Sequence, residues 1–343
     1  MTRPRTTPCR KTEAHLVCGR AERAGAPTKG ITLFESIAND STSSASVLTR
    51  LAARELAEMV EESRAKEAGV FWDELHTACR ELVSAKREMA SIISLVSQVL
   101  GAAERSVLSG VSPDTARRIV YAECSKIWDM GETLLEELGL EGAGLVPAGG
   151  TVATVSTSES VRAVLAAAVR DGTECRVLIS ESRPSNEGVE FGTSFPAWGI
   201  PVTLVVDAAL PKMVERCQLV LVGADAVSEN DFVNKTGTYA LALAAREAGV
   251  PVYVTATTDK FIAEGARGRP DRVWDPGEVL PSPPPGVTVE NRYFESVPLS
   301  LTEGIVTEGG IVDADEVAAK ILAKPITPAL VEILFPRAVE TSP

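Results

Sequence analysis

From residue 41 to residue 140 the apolar positions recur at intervals of three and four: Val47, Leu48, Leu51, Leu56 and Val60, then Phe71, Leu75 and Leu82, then Met89, Ile92, Ile93, Val96 and Leu100, then Ile119, Ile127, Met130, Leu134 and Leu138. That spacing lays an apolar stripe along each of several successive helices. Helix starts are expected in the polar turn 41–46 and at Ser112-Pro113-Asp114, where a serine can cap and a proline can take the first helical position. Gly101, Gly110 and Gly139 are the expected stops.

Beyond the glycine-rich stretch 138–150, expected to be a linker, the period changes. Short β-branched runs at 151–155, 176–179, 202–206, 219–222 and 251–255 are separated by helix-like stretches at 158–170, 189–198, 211–216 and 239–248. Strands alternating with helices at this interval require crossovers and a parallel sheet. Prolines bar the loop 280–286 (LPSPPPG) from helix or central strand. Residues 287–313 read as extended and loop-like, and 315–322 as a closing amphipathic helix. The expected fold is α/β: a flexible N-terminal arm over 1–30, a helical N-terminal domain over 31–145, and a Rossmann-like parallel-sheet C-terminal domain over 146–343.

Composition narrows the function. The chain has 343 residues, 45% of them hydrophobic, enough for proper cores. Its net charge of −13 argues against nucleic-acid binding, which needs a concentrated basic face. The six cysteines form no C-x-x-C pair and the histidines are only His15 and His76, so no metal site is expected, and the thiols read as reduced ones in a cytoplasmic protein. No window approaches eighteen consecutive apolar residues, so no membrane span is expected. The first thirty residues are weakly basic without an apolar core, which suits an arm better than a secretory signal, with an organellar transit peptide as the alternative.

There is no G-x-G-x-x-G after the first strand, no G-x-x-x-x-G-K-[ST] loop and no G-x-S-x-G elbow, so dinucleotide, NTPase and hydrolase chemistry are disfavoured and no cofactor is expected. Polar residues gather instead at strand ends: Thr154 to Ser158, Glu181 to Gly188 with Arg183 and Glu187, Asp207, Asp225 with Asn234 and Lys235, and Thr257 with Lys260. Small ligands bind there in open α/β sheets. The stretch 219–238, LVLVGADAVSENDFVNKTGT, is the most informative, because it sets an acid and an ammonium between a strand and the next helix start. A cation at a helix start is mildly unfavourable unless an anion partners it. A small phosphorylated metabolite is the expected ligand. Arg183, held extended before Pro184, suits a phosphate, or pairs with Glu181 or Glu187.

The order ESRP, VTLVVDAAL, VGAD, NKTGT, VYVTATTDKF and NRYFESVPLSLTEGIVTEGG resembles the C-terminal domain of the translation initiation factor 2B alpha/beta/delta family, which also contains methylthioribose-1-phosphate and ribose-1,5-bisphosphate isomerases. The segments NDSTSSASVLTRLA and AKREMASII match more loosely. The resemblance implies a homodimer or hetero-oligomer with family members, formed through the C-terminal domains. It also implies that Asp225 is the catalytic aspartate, that Asn234 and Lys235 hold the ligand, and that Glu187 stands where many isomerases have glutamine. The family's catalytic cysteine falls on Ser156, in Thr154-Val155-Ser156-Thr157, and the arginine-bearing phosphate loop has only a faint echo in residues 23–27. A thiol ionises near neutrality where a serine needs a base, and none is evident from the sequence. The first expectation is therefore a regulatory protein that binds a phosphorylated sugar or nucleotide without efficient isomerase activity. The second is an aldose–ketose isomerase of a pentose phosphate, using Asp225 with Ser156 or a water. The third is a subunit with a relic pocket. Thr154, Ser156, Arg183, Glu187, Asn234 and Lys235 are the expected ligand-binding residues. Glu295 faces either the pocket or a partner subunit.

Overall fold

Side-chain caps and close glycine contacts fix how the N-terminal helices begin and pack. The computed structural model describes residues 34–40, 43–270, 272–324 and 326–336. Its N-terminal part consists of α1 (Glu35–Asn39), α2 (Ala45–Glu62), α3 (Ala68–Ala85), α4 (Ala90–Leu108) and α5 (Pro113–Ala143). Ser44 accepts from the Val47 amide to cap α2, and Ser112 accepts from Thr115 to cap α5, with Pro113 in the first turn. Leu48, Leu56, Leu75, Leu82, Ile92, Val96 and Leu100 are buried in one apolar cluster.

The chain then alternates through β1 (Thr151–Thr154), α6 (Glu159–Arg170), β2 (Arg176–Ser180), α7 (Glu187–Ser194), β3 (Val202–Val205), α8 (Leu210–Met213) and β4 (Leu219–Gly223). It continues through β5 (Ala226–Val227), β6 (Asp231–Lys235), α9 (Thr238–Ala248), β7 (Val252–Thr255), β8 (Phe294–Pro298), β9 (Gly304–Thr307), β10 (Gly310–Val312), α10 (Ala314–Leu322) and α11 (Pro328–Leu334). The main sheet has the order β10-β9-β7-β4-β1-β2-β3, parallel except for β10. Counted along the chain, its parallel strands run 3-2-1-4-5-6. The order reverses between β1 and β4, and a doubly wound sheet opens its ligand crevice at the carboxyl ends of such a pair. β4 is buried throughout, as a central parallel strand with helices on both faces must be. A second, antiparallel sheet, β5-β6-β8, sits beside that opening.

Several sequence expectations shift. Of the three glycines expected as stops, only Gly110 follows a helix end, at φ 63°. Gly101 and Gly139 lie inside α4 and α5. A Cβ on Gly139 would stand 2.7 Å from the Ala163 carbonyl oxygen, so this glycine lets α5 lie against α6. α5 also runs to Ala143, well into the expected linker 138–150. Residues 287–313 contain three strands, and α11 follows the helix expected to be last. Asn234 and Lys235 close strand β6 and are not loop residues at a helix start. The expected arm 1–30 and residues 41–42 lie outside the described residues. Among the described residues no helix is long and apolar enough to cross a membrane.

Candidate functional site

A narrow cavity of about 40 Å³ opens at the reversal point. The turn after β1, the first turns of α2 and α6, the start of α7, the end of β4, strand β6 and the turn after β7 all line it. Gly223 ends β4 directly against the α6 cap: a Cβ there would lie 2.5 Å from Ser158 Oγ, so the strand can pass this close only without a side chain. Two residues on, Asp225 is held by its main chain. Its amide donates to the Val233 carbonyl at 2.8 Å, and its own carbonyl accepts from the Ala90 amide at 3.0 Å, tying it to both the small sheet and the helical part.

Burial pushes the Asp225 carboxyl up to about 6 from an ordinary value of 3.8; Lys260 opposes the rise most, and Glu88 adds to it. Lys260 is 4% exposed and lines the cavity. Its amide donates to the Thr257 carbonyl at 3.0 Å, and its ammonium makes no hydrogen bond or ion pair among the described residues. The short turn carrying it (Thr258–Lys260) is clamped from outside: Lys324 Nζ donates to the Thr258 and Phe261 carbonyls at 2.5 and 2.7 Å, and Glu308 accepts from the Thr258 amide at 3.0 Å.

Lys235 is 3% exposed and pairs with Glu187 at 2.5 Å, its ammonium lying 4.3 Å from the centre of the Tyr293 ring. Ser156 stands in a left-handed turn at φ 63° after β1. Its hydroxyl donates to Glu187 Oε1 at 3.0 Å, and its amide donates to Ser182 Oγ at 2.9 Å. Asn234 lines the cavity and donates to Thr238 Oγ1 at 3.0 Å, which ties β6 to the start of α9.

Five of the seven residues expected from the sequence, Ser156, Glu187, Asp225, Asn234 and Lys235, therefore meet at one cavity. The other two do not line it. Thr154 is fully buried at the end of β1 with its hydroxyl unpartnered. Arg183 is exposed, and its amide donates to Asp207 Oδ2 at 2.8 Å. Asp207 also accepts from the Ser182 amide at 2.8 Å, so it braces the loop after β2. Glu295 does not line the cavity: it accepts from the Gly237 and Tyr239 amides at 2.8 Å and caps α9. Sequence reasoning noted Lys260 at a strand end without choosing it, and gave no signal for Tyr293. The Glu187 carboxylate, which spacing alone could not bring together with Ser156, lies within hydrogen-bond reach of its hydroxyl.

With Lys235 paired to Glu187, Lys260 and the first turns of α2 and α6 remain to meet an anion. Helix N-termini carry partial positive charge and exposed amides, so the cavity suits a phosphorylated ligand with hydroxyls.

The chain is similar to several known proteins. The ribose 1,5-bisphosphate isomerase of Haloterrigena turkmenica is 30% identical over 298 residues, covering 82% of this chain and 89% of that protein. The methylthioribose-1-phosphate isomerase of Geobacter metallireducens is 33% identical, covering 63% of this chain and 68% of that one. Among solved structures, the translation initiation factor eIF-2B of Pyrococcus horikoshii OT3 superposes with a TM-score of 0.70 at 26% identity, over 82% of this chain and 95% of that chain. The sequence pattern of the Initiation factor 2 subunit family matches residues 41–314. The chain belongs to the Initiation factor 2 subunit family.

Proposed function

We propose that the protein is an aldose–ketose isomerase acting on a phosphorylated pentose, with Asp225 as its acid–base group. The observation that carries this reading is a largely buried carboxyl, raised to about 6, near a cavity-lining ammonium that makes no hydrogen bond or ion pair among the described residues, at the reversal point of the sheet. Opening a furanose 1-phosphate requires a proton on the ring oxygen, and transferring hydrogen from C2 to C1 turns the 2-hydroxyl into a carbonyl. Protonated Asp225 supplies the first proton. Lys260 and the helix ends hold phosphate, and Asn234 and the cavity hydroxyls meet the sugar. The names of the relatives suggest ribose 1,5-bisphosphate and methylthioribose 1-phosphate as test substrates. Turnover of either, abolished in Asp225→Asn, is the expected result. Failure of both to turn over removes the enzyme reading.

One observation favours a second reading. By the resemblance, Ser156 takes the position of the thiol in the family's isomerases, which fits a cavity that binds a sugar phosphate or nucleotide and reports it without turnover. A thermal shift with ribose phosphates but no product distinguishes this regulatory reading. In either case the exposed apolar residues at edge strand β3, Leu204 at 43% and Val206 at 56%, support assembly with a second copy or a related subunit. Light scattering gives its size.

A further inference from the structure

We propose that Ser156 and Glu187 form a proton relay that receives the proton leaving the sugar's 2-hydroxyl. The proposal rests on the isomerase reading of the same cavity and assigns the base that this reading leaves open. Ser156 lies on the cavity wall with its turn pinned by Ser182, and its hydroxyl proton is already directed at Glu187 Oε1, 3.0 Å away. Glu187 is the first residue of α7, buried, and fixed on three sides: Lys235 meets Oε1 at 2.5 Å, the Ser185 hydroxyl donates to Oε2, and Gly188 follows it. A Cβ on Gly188 would lie 2.0 Å from the Ser180 carbonyl oxygen. Only glycine lets the first turn of α7 press against the end of β2 and hold Glu187 beside Ser156.

A serine hydroxyl does not ionise near neutrality, yet it can accept a proton while passing on its own. Asp225 gives its proton to the ring oxygen, which keeps the electron pair of the broken C1–O4 bond. The hydrogen on C2 moves with its pair to C1. The O2–H pair becomes the second bond of the C2 carbonyl, and the O2 proton passes to Ser156 Oγ as the Ser156 proton passes to Glu187. The proton returns from Glu187 to Asp225 through solvent, and no outside oxidant or reductant is consumed.

The test measures kcat and KM for ribose 1,5-bisphosphate and methylthioribose 1-phosphate, with binding followed by calorimetry. The proteins are wild type, Ser156→Ala, Glu187→Gln, the two combined, Ser156→Cys, and Ser156→Cys with Glu187→Gln. Each single loss is expected to lower kcat at least about a hundredfold with little change in KM. The Ala/Gln double variant should be no slower than its slower parent. Ser156→Cys should retain activity even with Glu187→Gln, because the Lys235 ammonium, freed of its carboxylate, favours the thiolate. Losses that multiply in the double variant, or a Glu187→Gln effect on KM alone, would leave Glu187 as only the counter-ion of Lys235 and overturn the relay. Wild type that turns over with multiplying losses rejects the relay alone, whereas wild type that binds without turnover rejects both the relay and the isomerase reading.

Discussion

Asp225 is the residue whose surroundings and role pull in opposite directions. Its carboxyl is raised to about 6 from 3.8, mainly because burial disfavours the charge. Folding therefore tolerates it best below about pH 4, where it is protonated in both states, and loses stability as pH rises through 6, where the folded protein must ionise it. A rise of about two units corresponds to about 3 kcal/mol, which the carboxyl's partial access to water reduces to on the order of 1–2 kcal/mol. Asp225→Asn is thus expected to be more stable than wild type by that amount at pH 7.5 and nearly equal to it at pH 4, as read by denaturant titration at both values. If protonated Asp225 is the working acid, kcat/KM should fall about tenfold per unit above pH 6. The sequence showed this residue clearly, since a carboxylate just after an apolar strand is a local pattern. It did not show that Arg183 would be exposed and off the cavity wall, because the loop after β2 is shaped by Asp207, which is distant in the chain.

At the scale of elements, long-range contacts decide what the local pattern leaves open. Strands β1 to β4 and β7 were legible from their β-branched runs, whereas the β5–β6 hairpin was hidden because VSENDFVNK carries turn residues and charges. Its backbone partners are β8, far along the chain, and Asp225 itself. Gly139 illustrates the same limit, since nothing local distinguishes a stop from a close approach. Gly139→Ala should separate α5 from α6 and cost on the order of 2–3 kcal/mol, seen as a lower Tm, although alanine is the better helix former. The turn carrying Lys260 depends on another distant group. Removing the ammonium of Lys324 in Lys324→Met leaves the Thr258 and Phe261 carbonyls without their donor, at a cost of about 1–3 kcal/mol. Weaker binding of a pentose phosphate, with a several-fold higher dissociation constant, is the expected accompaniment by calorimetry.

The whole molecule joins two differently built parts at the site. α11 returns from the sheet to bury Ala329, Leu330, Ile333 and Leu334 in the helical cluster, and the Leu334 carbonyl accepts from Arg87 at 2.6 Å. Deleting residues 327–343 removes those side chains, a loss on the order of 4 kcal/mol or more. A fall in Tm of roughly 10 °C, with new proteolytic cleavage in α3 or α4, is expected. The helical and parallel-sheet character of the two parts was readable from periodicity alone. The return of α11 was not, because a short segment closing on a distant core carries no periodic signal.

The bond from the Ala90 amide to the Asp225 carbonyl has a consequence for regulation. A displacement of the helices and one of the small sheet would both reach this peptide unit. A shear of one part past the other is therefore expected to retune the acidity of that carboxyl.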